Sequence, residues 1–306
     1  MSRDLTRREF LRSTAAVGVG AAAVSVGFSS CTTTDTGLDF YRPAIDLAVA
    51  RGASPAKNCL AAVEALGGFG KFVHEGDKVV VKPNPIGSHR PEMAVNTHPD
   101  MVEAVIRECF AVGAAEVIAL SHDSPRSFAD NGTAEAVERA GGVLKVLQER
   151  EEFREIPVPR GRIIRRVEIA RDLLDADVFI NMPIAKHHGA SRVTFAMKNL
   201  MGVNWDRITF HRTDLHLCIA ELATAVRHNL IILDANNVLL TNGPGGPGRV
   251  VQPKEVIAGV DPVAIDAIAT KYFDSPPATV PHIRQAFELG VGEMNLDRLR
   301  IKEFDA

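Results

Sequence analysis

From Ser54 onward the apolar residues recur in two alternating patterns: positions three and four apart, and short continuous runs rich in Val and Ile. Ser54 before Pro55 is a helix start, and Leu60, Val63 and Leu66 carry one face to Gly67-Gly68. Residues 77–82 read as a short strand closed by Pro83-Asn84-Pro85. Thr97-His98-Pro99-Asp100 opens a helix whose apolar face is Val102, Val105, Ile106, Cys109 and Phe110. A second buried strand, 117–120, ends in Ser121-His122-Asp123; a helix at 133–140 and a strand at 143–147 follow. Further strands are expected at 177–181, 230–233 and 255–258, with a weak last one at 298–301, and helices at 214–226, 262–272 and 280–289. The runs 156–158 and 163–169, on either side of Pro159-Arg160-Gly161, read instead as a β-hairpin. Short apolar strands separated by helices predict an α/β fold: a mostly parallel sheet with helices on both faces and an inserted β-hairpin. Residues 54–306 form one domain in this reading, and the hairpin marks where a second lobe would begin.

The first thirty residues carry a different pattern. Thr6-Arg7-Arg8-Glu9-Phe10-Leu11-Arg12 has the order of a twin-arginine export signal, and an Ala/Gly/Val run from Ala15 to Phe28 follows, too weakly apolar for a membrane span. Residues 1–30 are therefore read as a signal peptide and 31–53 as a tether. Phe28-Ser29-Ser30-Cys31 resembles a lipobox and makes Cys31 the expected lipidation site; cleavage near Ala23 or Ser25 is the alternative. Either processing leads to an exported, periplasmic or extracytoplasmic protein, held at the membrane by a lipid anchor only, with the twin-arginine export machinery as its first partner.

Composition narrows the chemistry. The chain has 306 residues, 46% of them hydrophobic and 24% charged, with a formal charge of −3, so no basic surface points to nucleic acid. Cys59, Cys109 and Cys218 sit singly in apolar helical patterns, with no Cys-x-x-Cys, which argues for buried thiols and against an iron–sulfur or zinc site. The histidines have no metal-ligand spacing, so no metal site is assigned, although distant histidines meeting in the fold would escape this test. Gly243-Pro244-Gly245-Gly246-Pro247-Gly248 satisfies G-x-G-x-x-G in form only: its prolines remove amide donors and a strand follows.

The unusual polar residues cluster where strands end, which is where ligands bind in open α/β sheets. Lys82 and Asn84 close one strand; Asn181 closes another, with Lys186, His187 and His188 beyond it; Asp234 closes a third. Lys198-Asn199 adds a lysine and an amide inside an apolar stretch. Lys82, Asn84, Asn181, Lys186, Lys198 and Asn199 are the candidate ligand-binding residues, and their amines suit a phosphate or carboxylate. His187, Asp234 and Asp266 are the candidate proton-transfer residues. Asp261-Pro262 is explained as a helix cap, whereas Asp266 lies on a helix that is apolar all round and needs a buried partner, for which a strand-end lysine is the candidate.

The segments Val81-Lys82-Pro83-Asn84, Thr97-His98-Pro99, Asn181-Met182-Pro183-Ile184-Ala185-Lys186-His187, Met197-Lys198-Asn199-Leu200-Met201-Gly202, the glycine loop at 242–248 and the run from Ala258 to Asp266 together resemble the domain-of-unknown-function 362 family. The resemblance implies an α/β fold and assigns no activity. Many relatives carry ferredoxin-type cysteine motifs, which this chain lacks, so an iron–sulfur cofactor is not carried over and the cofactor stays unassigned. Two functions fit: an enzyme acting on an anionic small molecule at the Lys/Asn/Asp site, or an exported accessory protein that binds a ligand or cofactor without transforming it.

Overall fold

A computed structural model describes residues 41–306. The twin-arginine segment and Cys31 lie outside the described residues. The strands, in chain order, are β1 (Leu47–Arg51), β2 (Lys78–Pro83), β3 (Glu116–Ser121), β4 (Val143–Val146), β5 (Phe153–Pro157), β6 (Arg166–Ala170), β7 (Val178–Met182), β8 (Ile184–His188), β9 (Arg192–Thr194), β10 (Leu230–Leu239), β11 (Val250–Val251), β12 (Glu255–Gly259) and β13 (Ile301–Asp305). The main helices are α1 (Pro55–Ala65), α2 (Pro99–Ala111), α3 (Thr133–Arg139), α4 (Ala196–Asn199), α5 (Arg207–Arg212), α6 (Leu215–Ala225), α7 (Pro262–Ala269) and α8 (Pro281–Glu288).

The central sheet runs β13-β1-β12-β10-β7-β2-β3-β4, with β8, β9 and β11 attached at the β10 side. Its middle is parallel, through β10-β7, β7-β2, β2-β3 and β3-β4. β12 is antiparallel to both neighbours, and β1 and β13 are parallel to each other. β5 and β6 form the separate antiparallel hairpin expected from the sequence. The α/β reading therefore holds, with its mostly parallel sheet.

The tether expected over 31–53 needs a correction. Residues 47–51, Leu-Ala-Val-Ala-Arg, are a strand inside the sheet, buried except at Arg51. A four-residue apolar run without helical spacing is a buried strand, and two neighbours hold it: Val49 lies opposite Ile257 on β12 and Glu303 on β13.

Caps fix the helix starts. Pro55 and Pro99 open α1 and α2, and Asp261 accepts from the Val263 and Ala264 amides at the start of α7, as the sequence implied. Successive side chains on each strand face opposite layers. Val80, Leu233 and Ile257 join the core under α6, α7 and α8, while α1, α2 and α3 cover the other face. Cys59, Cys109 and Cys218 are buried free thiols, and burial pushes Cys109 up to about 12. No described helix is long and apolar enough to cross a membrane.

Candidate functional site

Strand order reverses at β2: the chain moves outward through β3 and β4, then returns to place β7 on β2's other side. The crevice beyond the carboxyl ends of such strands is where open α/β sheets bind ligands. Here it is a cleft of about 420 Å3. Lys82 enters it from β2 and Asn84 from just past that strand, Asp123 from just past β3, and Lys198, Asn199 and Gly202 from α4 and the turn after it. α5 forms the opposite wall with Arg207, His211 and Arg212. Asp206 caps α5 by accepting from the Thr209 amide, which sets that wall in place.

Beneath the cleft runs a one-way chain of side-chain amides. Lys186 Nζ donates to Asn84 Oδ1 (2.7 Å), Asn84 Nδ2 to Asn199 Oδ1 (2.7 Å), and Asn199 Nδ2 to Asn181 Oδ1 (2.7 Å). Asn181 Nδ2 completes it by donating to the Ala196 carbonyl (2.9 Å). Lys82 Nζ joins from the side, donating to the Pro83 carbonyl (2.5 Å) and to Asn199 Oδ1 (3.4 Å). Every acceptor of these two buried lysines is a neutral oxygen. Burial pulls the Lys82 amine down to about 7, with Arg207 and Lys198 adding to the shift and Asp123 opposing it. Burial likewise holds Lys186 well below the usual lysine range.

Lys198 is mostly buried and has no hydrogen bond or ion pair among the described residues; burial and Arg207 bring it to about 8. Asp123 is the one carboxylate among the residues lining the cleft. The cleft is thus a desolvated cationic surface short of negative charge. His188 adds a neutral donor: its Nδ1 accepts from the Ala190 and Ser191 amides, so the proton sits on Nε2. Burial, with Lys198 and Lys186 nearby, takes that ring down to about 3.

The six ligand-binding candidates converge. Lys82, Asn84, Lys198 and Asn199 line the cleft, while Lys186 and Asn181 support it from below. The proton-transfer candidates do not join them. His187 Nδ1 accepts from the Gly243 amide in the glycine loop, because alternation along β8 turns it away from the side that Lys186 and His188 share. Asp234 sits in mid-β10, where its carboxylate accepts from the His98 amide and from Asn236. Asp266 takes the amides of Ala196 (2.7 Å) and Met197 (3.2 Å) at the start of α4, not a lysine. Its role is to hold the helix that carries Lys198 and Asn199.

The cleft also includes His188, which the sequence places at a strand end without a role, and Thr194, Arg207, His211 and Arg212, which no strand-end pattern marks. Gly202 borders the cleft as well. A Cβ there would stand 2.6 Å from Lys82 Cε, 2.8 Å from its Nζ and 2.9 Å from Ser121 Oγ, so any larger residue would displace the Lys82 amine. Among the described residues no group of three or more His, Cys, Asp or Glu is placed to hold a metal ion.

An open α/β sheet with a cation-lined crevice at its switch point defines the class of protein. The chain belongs to the family described as Domain of unknown function (DUF362), whose model matches residues 79–271, a span that contains all six converging residues. A thylakoid-associated protein of Synechocystis sp. is 29% identical over 248 residues, which is 75% of this chain and 73% of that protein. Two solved structures are similar at 11% identity and a TM-score of 0.43: the lactate racemase apoprotein from Thermoanaerobacterium thermosaccharolyticum and a protein from Thermotoga maritima. They overlap 81% and 76% of this chain, which spans 57% and 58% of their lengths.

Proposed function

We propose that the cleft binds a small anionic molecule and that the protein is an enzyme acting on it. The observation that carries this is Lys198: a mostly buried amine without a partner, flanked by Lys82 and Arg207, in a cleft with one carboxylate. A buried charge is costly until something neutralises it, and a ligand phosphate or carboxylate would do so. Lys82 supports an enzyme over a passive binder, since a lysine near 7 exchanges protons at neutral pH. Calorimetric titration with inorganic phosphate tests the reading. Binding should be measurable at neutral pH, and Arg207→Ala should weaken it about tenfold, or about 1.4 kcal/mol. No heat of binding with phosphate or with oxalate would reject it.

We further propose that the protein works outside the cytoplasm, exported by the twin-arginine route through Arg7 and Arg8 and anchored through a lipid on Cys31. The thylakoid association of the Synechocystis relative supports that location. Arg7→Lys with Arg8→Lys should leave precursor in the cytoplasm, and Cys31→Ala should release the protein from the membrane fraction. Normal fractionation of both variants would refute this assignment.

A further inference from the structure

We propose that Lys82 Nζ is a nucleophile that forms an imine with a small anion carrying an aldehyde or ketone, so that the substrate class is an oxo acid or a phosphorylated carbonyl compound. This rests on reading the cleft as an anion site and deepens it.

The hydrogen-bond count around Nζ is the first reason. An ammonium has three N–H groups to place, whereas a neutral amine has two and a lone pair. Lys82 Nζ has two acceptors, Pro83 O and Asn199 Oδ1, and both are neutral. That matches the amine. The side chain is 1% exposed, yet it lines the cleft. Gly202 lies against it with no side chain, so the end of Lys82 packs where a Cβ would stand only 2.8 Å from Nζ, and the amine keeps its place at the cleft. A lysine desolvated beside other cations is the recognised way to keep an amine neutral and reactive near pH 7, and Lys198 and Arg207 supply those cations here.

The carbonyl partner has receptors too. Lys198 and Arg207 suit its anionic group. Thr194 Oγ1 is buried in the cleft wall without a hydrogen-bond partner, a hydroxyl free to donate to a carbonyl oxygen. In the step itself the Nζ lone pair attacks the carbonyl carbon. Nζ gives up its two hydrogens to the carbonyl oxygen, that oxygen leaves as water, and C=N replaces C=O. Lys186 provides an internal comparison: it also has two neutral acceptors, but it is fully buried and does not line the cleft.

The test uses glyoxylate as the carbonyl anion and sodium cyanoborohydride as the hydride donor, which reduces an imine to a carboxymethyl amine. Wild-type protein at pH 7 is treated and its modified lysines mapped by peptide mass spectrometry. Lys82 should be labelled about tenfold faster than any other lysine, Lys186 should remain unlabelled, and inorganic phosphate should suppress the Lys82 adduct. Lys82→Arg, which keeps a cation but has no amine, should give no cleft adduct; if that variant does not fold, the wild-type map decides. Labelling confined to surface lysines or to Lys198 overturns the proposal. Phosphate binding without a Lys82 adduct rejects the imine and leaves the anion site standing; neither signal rejects both. A Lys82 adduct indifferent to phosphate would detach the nucleophile from the anion site and overturn the proposal as stated.

Discussion

The chemistry of the cleft depends on individual atoms that a sequence does not display. Lys82, Asn84, Lys198 and Asn199 were legible because lysines and amides are out of place beside buried strands and apolar helices. Their connection was not legible, since Asn199 Oδ1 collects hydrogen bonds from residues more than a hundred positions away. The role of Gly202 was equally hidden, because a missing side chain announces nothing until its neighbour is placed. Gly202→Ala should push the Lys82 amine out of position while the rest of the core stays packed. We expect phosphate affinity to fall about tenfold with little change in melting temperature. Calorimetry and thermal denaturation on the same preparation check this, and unchanged affinity would show that the close contact is without consequence.

At the scale of elements, the sequence revealed those with a strong period and concealed those without one. The helices starting at Pro55, Pro99 and Pro262 and the buried strands at the sheet centre were readable from caps and apolar runs. β8 was not, because Lys186 and His187 look like loop residues; without the strand, alternation could not choose His188 over His187 for the cleft. β10 was cut short at Asp234 for the same reason, as a carboxylate inside a sheet strand reads as an end. α4 is only four residues long and offered no period at all, so Asp266 was recognised as buried but was given the wrong partner. Asp266→Ala should leave the Ala196 and Met197 amides without acceptors and cost about 3 kcal/mol. Asp266→Asn keeps one acceptor and should cost about half as much. Urea unfolding of the two variants tests the order, and equal losses would mean the carboxylate acts through its charge instead.

For the whole molecule, the lysines make stability depend on pH in a definite direction. Folded Lys82 titrates at about 7 and Lys198 at about 8, both below the ordinary lysine value of 10.5. Between these values the unfolded chain holds more protons than the folded one, so stability rises as pH increases from 7. The rise meets opposition once ordinary thiols ionise, because burial holds Cys59 and Cys109 in the neutral form. Melting temperature followed by circular dichroism should therefore climb between pH 7 and about 8.5. Saturating phosphate should flatten that slope by restoring the lysines' protons. A falling curve would mean that these amines stay charged in the folded protein.

The position of β1 between β12 and β13 also sets an order in time. Both of its neighbours are distant: Arg51 meets Glu255, 204 positions along the chain, and β13 comes later still. Until they arrive, Leu47–Ala50 is an apolar strand with two open edges, the kind of segment that pairs with whatever strand it meets. Contacts that close such long loops slow folding. Assembly of this protein is thus expected to proceed from its parallel centre outward, with β1 the last central strand to find its place. A nascent chain would spend that interval needing protection from its own leading edge.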